Sequence, residues 1–580
     1  METTITDTQT VTAPNRSKSM RISGAEAIVR CLIAEGVDLM FGYPGGAIMP
    51  VYDELYKFQD QLEHVLVRHE EGATHAAQGY ARASGKVGVC IATSGPGATN
   101  LVTGIADAMI DSTPMVCITG QVPKQFLGTD AFQETDVISI TIPVTKWNYQ
   151  VTEASEIPKV LAQAFYLARS GRPGPIVIDI TKNAQFEEFD FEYKPCEKVS
   201  SYVARPAIEA SKLAAAADLI NSAKRPYILF GQGIILGEAE AEFKAFVEKS
   251  GIPAAWTIMG LSAMPTEHPL NVGMLGMHGN YGPNLMTNEC DVLIAIGMRF
   301  DDRVTGNLTK YAKQAKVIHF EIDPSEIDKN VPTDVAILGD CKESLAAILP
   351  LIEEKQHPEW LQRFRDCDKQ EQEKVIQAET RPTEGELRMG EVIDQLNELT
   401  NGDAIVVTDV GQHQMIACRY AQFSKTRSNI TSGGLGTMGF CLPAAIGAKM
   451  GAPERTVVAV IGDGGFQMTI QELGVILQSG VNIKILILNN SFLGMVRQWQ
   501  QLFFEKRYAS TEMVNPDFQL IAKGYGIACK RIEERGDIAN ALKEMLEHDG
   551  SFLLEVMVGK ENNVFPMVPS GAGVAEIRLE

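Results

Sequence analysis

Two stretches of this sequence carry residue types and spacing suited to holding a cation. Residues 457–466 read VVAVIGDGGF, an apolar β-branched run that stops at one acid, Asp463, flanked by glycine; residues 484–492 read KILILNNSF, a second apolar run ending in two asparagines. Between them QMTIQELGVILQSG (467–480) places Ile470, Leu473, Ile476 and Leu477 at helical spacing. Strand, helix and strand make a βαβ unit, whose strands are parallel with both carboxyl ends on one edge. Asp463 and Asn490, 27 positions apart, therefore converge. One anionic and one neutral oxygen ligand suit Mg²⁺ holding a diphosphate. The glycines let a phosphate approach the backbone, and the following helix offers it free N–H groups. A third stretch, HVLVRHEEGATHAAQGYARASG (64–85), is a strand, two acids and a helix, with Glu70 at the junction. Alone, GDG reads as a turn and Glu70 as an acid facing a helix dipole.

The elements that must position these residues repeat along the chain. Residues 21–186 alternate helical patterns with short apolar runs such as VGVCIAT and PIVIDI. Residues 187–206 lose that rhythm and read as a linker. Alternation resumes in 207–352 (PYILFGQG, DVLIAIGMRF, KVIHFEID) and again in 389–560, after a densely charged helix and linker at 353–388. Residues 1–20 read as a disordered arm and 561–580 as a Gly- and Pro-rich tail. The expected fold is α/β, with three doubly wound parallel-sheet domains, and ligands are expected outside the carboxyl ends of the strands. The 580 residues, 45% hydrophobic, suffice for large cores. A net charge of −21 argues against nucleic acid as a partner. No apolar run reaches membrane-span length, and residues 1–20 lack a secretory core. Ten cysteines without CxxC suit a reducing compartment, so the cytoplasm is expected, with the plastid stroma as alternative. None of the nine histidines has zinc-like spacing.

The stretch GDGGFQMTIQELGVILQSGVNIKILILNN resembles the metal–diphosphate motif of thiamine-diphosphate enzymes. The resemblance implies that Asp463, Asn490 and the main-chain carbonyl of Phe492 bind Mg²⁺. It also implies that Glu70 hydrogen-bonds the cofactor's aminopyrimidine, so that the cofactor itself acts as the base. In that family these two groups come from different subunits of a homodimer, the minimum unit expected, with a homotetramer as the alternative. Further stretches, in order, are similar to the acetohydroxyacid (acetolactate) synthase branch: FGYPGGAIMPVYDEL, ATSGPGATNLVTGIADA, GQVPKQFLGTDAFQET, GMHGNYG, RFDDRVTG, VGQHQM, GGLGTMGFCLPAAIGA and LGMVRQWQ. The chain departs from the family after GRPGP, where proline-lysine-aspartate becomes TKN, though Lys182 is kept.

The resemblance implies decarboxylation of pyruvate and joining of its hydroxyethyl unit to a second 2-keto acid, pyruvate or 2-ketobutyrate. It places Gly46, Gln133 and Lys182 with Glu70 at the reacting centre, and Phe132, Arg303 and Trp499 at the substrate. Gln412, His413, Gly436, Met438, Gly464, Gly465 and Met495 would hold thiamine diphosphate with Asp463 and Asn490. The middle block's FGQGIILG departs from GxGxxG and is weak as a dinucleotide signature. The family nevertheless implies FAD there, on Arg172, Gly231, Thr257, Met277, His278, Gly297, Arg299, Asp301, Glu321 and Asp340. The residues alone leave open an ion pair of Arg303 with Asp301 or Asp302, core packing of Trp499 and Met438, and a helix-cap role for strand-end acids. Family members often pair with a small regulatory subunit. A pyruvate oxidase, a glyoxylate carboligase-like enzyme and a non-catalytic scaffold are the competing readings.

Overall fold

A computed structural model describes residues 20–580. Except for Met20, the expected N-terminal arm lies outside the described residues. Met20 opens a short strand, Met20–Ser23, that pairs antiparallel with Glu188–Phe191. The segment read as a linker from 187 therefore begins with a strand that closes the N-terminal domain. Its four residues are too few and too acidic (EFDF) to stand out as a strand in the sequence.

Each block folds as a six-stranded parallel sheet. The N-terminal sheet runs Glu63–Leu66, Leu39–Gly42, Gly88–Ala92, Met115–Gln121, Pro175–Thr181, Trp147–Val151. The C-terminal sheet runs Asn429–Thr431, Ile405–Thr408, Val457–Gly462, Lys484–Asn489, Phe552–Met557, Ala528–Ile532. Both follow one plan: second, first, third, fourth, sixth, fifth in chain order. The middle sheet differs, with Asn271–Met274, Ala254–Trp256, Pro226–Phe230, Val292–Ile296, Lys316–Glu321 and Val335–Leu338 ordered third, second, first, fourth, fifth, sixth. That is the dinucleotide-fold order, with its switch point between Pro226–Phe230 and Val292–Ile296. Helices cover both faces of each sheet, so central strands such as Val457–Gly462, Lys484–Asn489 and Pro175–Thr181 are buried throughout and read as unbroken apolar runs.

The N- and C-terminal domains meet through two helices rich in small residues, Glu70–Ser84 and Cys441–Gly451. A Cβ on Gly79 would lie 1.9 Å from the Ala444 carbonyl oxygen, and one on Gly447 would lie 1.8 Å from that of Ala76. Only glycine permits this approach. The charged segment 353–388 forms helix Pro358–Glu371, a π-helical turn Gln372–Ile376 and helix Gln377–Thr380. It is less superficial than its charge suggests. Trp360, Phe364 and Cys367 pack into the middle domain, and buried Glu371 pairs with buried Arg419 of the C-terminal domain. The aperiodic tail also packs. Val564, Met567, Val568, Val574 and Ile577 are buried, and the Val568 N–H donates to the Met277 carbonyl at 2.8 Å. Among the described residues no helix is long and apolar enough to cross a membrane.

Candidate active site

Asp463 does not sit on an open turn. It ends strand Val457–Gly462 and is the first residue of helix Asp463–Met468, only 1% exposed. The region expected as one helix over 467–480 is instead three short pieces: that helix, a 3₁₀ turn Ile470–Glu472, and helix Leu473–Ser479. Leu477, expected on the apolar face, is 61% exposed, because the break at Thr469 shifts the helical phase. Strands Val457–Gly462 and Lys484–Asn489 are parallel neighbours, paired from Val458↔Lys484 to Gly462↔Leu488. Asp463 and Asn490 thus leave adjacent strand ends on the same edge. The Asn515 amide ties Asp463 to the residue before Asn490, donating to Asp463 Oδ2 at 2.7 Å and to Asn489 Oδ1 at 3.1 Å. Burial pushes the Asp463 pKa up to about 6, with Asn515 opposing.

Asn490 is oriented from both sides. Its amide nitrogen donates to Gln412 Oε1 at 3.2 Å, and its Oδ1 accepts from the Phe492 N–H at 3.1 Å. Ser491 between them has a left-handed φ of 54°, and the loop is pinned by Leu493 N–H to Thr511 O and Met513 N–H to Ser491 O. Behind this corner lies a buried polar network. Gln412 Nε2 donates to Gln498 Oε1 (2.9 Å) and to the Asn562 carbonyl (2.8 Å), which also accepts from the fully buried Arg497 (2.7 Å). A second buried acid, Asp409, ends strand Ile405–Thr408 and accepts N–H bonds from Val410, Gly439 and Cys441. It fixes the turn that carries Met438. A Cβ on Gly464 would meet Leu493, Met513 and Met438, and one on Gly465 would lie 2.4 Å from Asp409 Oδ1.

The residues present fit a hard dication with a diphosphate. Among the described residues no three His, Cys, Asp or Glu side chains form a metal cluster. A cation here would rely on one carboxylate and neutral oxygens, as Mg²⁺ prefers. His413 is buried, its pKa lowered to about 4 by desolvation, and its Nε2 has no partner. The unpartnered Nε2 can donate to a phosphate oxygen when it carries the ring proton, and only accepts in the other neutral tautomer.

The N-terminal candidates form a separate cluster. Glu70 opens helix Glu70–Ser84 behind the cap residue His69 and accepts from the Asn100 amide at 2.9 Å. A Cβ on Gly97 would lie 3.4 Å from Glu70 Oε1, and one on Gly95 2.9 Å from the carbonyl of Gln133, which has a φ of 60°. Ala47, next to Gly46, donates its N–H to Thr93 Oγ1 at 3.2 Å. Its carbonyl accepts from Gln185 at 2.9 Å, in the helix begun by Lys182. Gly46, Thr93–Gly97, Gln133, Glu70 and Lys182 thus share one sheet edge. Phe132 beside them is 88% exposed. Among the described residues no hydrogen bond joins this cluster to the Asp463 corner.

A cavity of about 670 Å³ opens where all three domains meet. It is lined by all ten residues singled out in the middle-domain reading (Arg172, Gly231, Thr257, Met277, His278, Gly297, Arg299, Asp301, Glu321, Asp340) and by Arg303, Gly436, Met495 and Trp499. At the switch point, Gly297 has a φ of 57°, and a Cβ on Gly231 would lie 2.4 Å from its carbonyl oxygen. The two strand ends thus approach each other as closely as glycine allows. Burial lifts Glu321 to about 7, and buried His278 Nδ1 lacks a partner. An adenine dinucleotide fits such a crevice. Some lining residues also have local roles: Asp340 and Asp301 cap short helices, and Arg172 is held by Ser112, Asp323 and Glu326. Arg303 is only 3.8 Å from Asp302 and 65% exposed, and its NH1 lies 3.2 Å from Met277 Sδ. Trp499 is half-buried rather than core, tilted against Phe503.

The Gly-rich loop between the cavity and Met438 is held from the N-terminal domain. Asp111 accepts the N–H groups of Gly433 (2.8 Å) and Gly434 (2.7 Å), and Asp107 binds Ser432 and Thr437. Sequence reasoning did not single out Asp107, Asp111, Asp409, Arg497, Gln498 or Asn515. Asp409 had a usable signal, since it ends an apolar run as Asp463 does. Arg497 and Gln498 read as ordinary polar helix residues, and Asn515 lies in a stretch with no pattern at all.

Three such sheets, with an acid and an amide at neighbouring strand ends, define a thiamine-diphosphate enzyme. The thiamine pyrophosphate enzyme family models match in order: the N-terminal TPP binding domain over residues 22–140, the central domain over 213–348 and the C-terminal TPP binding domain over 409–556. The chain is 44% identical over 550 residues to the acetolactate synthase large subunit of Lactococcus lactis, covering 95% of each. It is 46% identical over 577 residues to that of Corynebacterium glutamicum, covering 98% of this chain and 92% of the relative. With the acetolactate synthase isozyme 2 large subunit of Escherichia coli the identity is 45% over 561 residues, covering 96% and 99%. The chain belongs to the thiamine pyrophosphate enzymes and, within them, to the acetolactate synthase large subunits.

Proposed function

We propose that this protein joins two 2-keto acids: pyruvate loses CO₂ and its two-carbon unit is added to a second pyruvate, giving 2-acetolactate, or to 2-ketobutyrate, giving 2-aceto-2-hydroxybutyrate. This is the first common step of branched-chain amino acid synthesis. The observation that carries the reading is the convergence of Asp463 and Asn490 on adjacent parallel strand ends, in a chain similar over nearly its whole length to acetolactate synthases. When bound, thiamine diphosphate supplies a nucleophilic C2 and a ring that accepts the electron pair released with CO₂. Asp463, Asn490 and the Phe492 carbonyl would hold Mg²⁺; His413, Gln412 and the Gly464–Gly465 backbone would receive the diphosphate; Met438 would pack against the cofactor. Glu70 holds a proton at the aminopyrimidine of the partner subunit's cofactor, so a homodimer is the minimum working unit. Gly46, Gln133 and Lys182 lie on the Glu70 edge and complete the reacting centre, with Phe132 toward the substrate.

FAD would occupy the three-domain cavity, held by the ten residues of its lining named for it above, and carboligation would draw no net electrons from it. Arg303 pairs with the acceptor's carboxylate, and Trp499 shapes the acceptor pocket. The relatives' designation as large subunits supports a small regulatory partner, and ten free cysteines support a reducing cytoplasm. The test is one assay of purified protein with pyruvate, thiamine diphosphate, Mg²⁺ and FAD, without oxygen, with and without 2-ketobutyrate. Accumulating acetolactate, and the mixed product with 2-ketobutyrate, supports the reading. Turnover only in air, yielding peroxide with acetate or acetyl phosphate, makes the protein an oxidase instead.

A further inference from the structure

Glu472 has no part in the assignments above, yet it is a buried acid that crosses from one domain to another. It ends the 3₁₀ turn Ile470–Glu472, directly after the Asp463 helix, and is 1% exposed. Its carboxylate accepts from the Arg68 main-chain N–H, both oxygens at 3.2 Å. A Cβ on Gly72 would lie 2.7 Å from its Cδ. Arg68 returns the grip: its guanidinium donates to the Gly474 carbonyl at 2.9 Å and to Gln478 Oε1 at 2.8 Å, as well as to Leu66 O at 2.8 Å. Backbone and side chain of Arg68 are both clasped by residues 472–478. Arg68 and His69 form the junction between strand Glu63–Leu66 and the helix that Glu70 begins.

We propose that Glu472 is a positioning residue for Glu70: from the C-terminal domain it locks the strand-to-helix junction that aims the Glu70 carboxylate. A junction at a domain boundary would otherwise be free to shift with the domains, and a misplacement of about 1 Å at a reacting group costs about 10²-fold. A carboxylate suits the task because it is the side chain that can receive backbone N–H groups at a helix N-terminus while opposing the positive end of the dipole. Gly72 belongs to the same device, since any side chain there would push Glu472 away.

This inference rests on the role given to Glu70 above, and its test separates the two. The holoenzyme with thiamine diphosphate, Mg²⁺ and FAD is compared with Glu472→Gln, Gly72→Ala, Glu70→Gln and the Glu70→Gln/Glu472→Gln double variant. The readouts are the rate of cofactor C2 hydrogen–deuterium exchange, kcat, cofactor affinity and Tm. Glu472→Gln and Gly72→Ala are expected to slow exchange and kcat together, by about 10- to 100-fold, with cofactor affinity little changed. In the Glu70→Gln background the Glu472→Gln change is expected to add nothing, because its effect runs through Glu70. Wild-type exchange in both Glu472→Gln and Gly72→Ala, or full additivity in the double variant, overturns the inference. Wild-type exchange in Glu70→Gln overturns the role of Glu70 instead. Should Glu472→Gln fail to fold, Gly72→Ala carries the test, because alanine is favoured over glycine within a helix.

Discussion

Gly494→Ala tests the architecture of the Asp463–Asn490 corner without touching a proposed ligand. Gly494 is the first residue of helix Gly494–Phe503, and its φ is not left-handed, so alanine suits the local backbone. The obstacle is tertiary. The new Cβ would lie 2.3 Å from Gln412 Oε1 and 2.6 Å from Asn490 Nδ2, closer than real Cβ contacts come. Gln412 is tethered through Gln498 and Asn562 and cannot swing clear, so Asn490 is the side chain displaced. Losing its bond to Gln412 costs about 1 kcal/mol, and the overpacking costs about 1–3 kcal/mol. Helix propensity returns up to about 1 kcal/mol to the fold but none of it to the ligand geometry. At 1.4 kcal/mol per decade, a loss of about 2–4 kcal/mol weakens Mg²⁺–thiamine diphosphate binding by about 30- to 1,000-fold. The assay is a titration of apoprotein with thiamine diphosphate at saturating Mg²⁺, read by activity and by calorimetry. Flavin content is expected to stay unchanged, since neither Gln412 nor Asn490 lines the three-domain cavity. Gly524→Ala, with nothing within 4 Å of its Cβ, is the control. Wild-type cofactor affinity in Gly494→Ala would refute the reasoning that Asn490, held by Gln412, is a ligand.

Other perturbations have equally definite outcomes. Gly79→Ala drives a methyl to 1.9 Å from the Ala444 carbonyl oxygen; it should separate the two small-residue helices and lower Tm by several degrees despite better helix propensity, and an unchanged melting curve counts against this packing. Gly231→Ala sets a methyl 2.4 Å from the Gly297 carbonyl oxygen; it should abolish the flavin absorbance of purified protein while thiamine diphosphate affinity persists, and a full flavin complement would place FAD elsewhere. Burial lifts Glu379 to about 7 from 4.5, so between those values the folded state binds more protons than the unfolded one, and stability falls as pH rises. Glu379→Gln keeps an acceptor for the Gly390 N–H, now bonded at 3.0 Å, and removes the charge. Its Tm should gain on wild type between pH 5 and pH 8 by the equivalent of about 3 kcal/mol; parallel Tm curves across that range contradict a buried, costly Glu379 charge.

Much of the chain's organisation is written in its neighbours along the sequence. Strand runs, helical spacing and glycine breaks are local signals, and the right-handed βαβ rule carries Asp463 and Asn490 to one edge without further information. The same rule places Gly231, Gly297 and Glu321 at strand ends of the middle sheet. Alternation alone does not say that the middle sheet takes a different strand order from the other two, because that choice turns on which side each crossover returns.

Which distant groups meet is set by the packing of whole domains. Asn515 reaches Asp463, Asn562 in an aperiodic tail completes the Gln412–Gln498–Arg497 network, and Asp107 and Asp111 hold the loop before Met438. Glu472 clasps Arg68 across a domain boundary. None of these contacts has a period or a spacing, for each depends on how complete domains pack. The close approach that glycine allows at Gly79 and Gly447 sets that packing, and no window of sequence contains both partners.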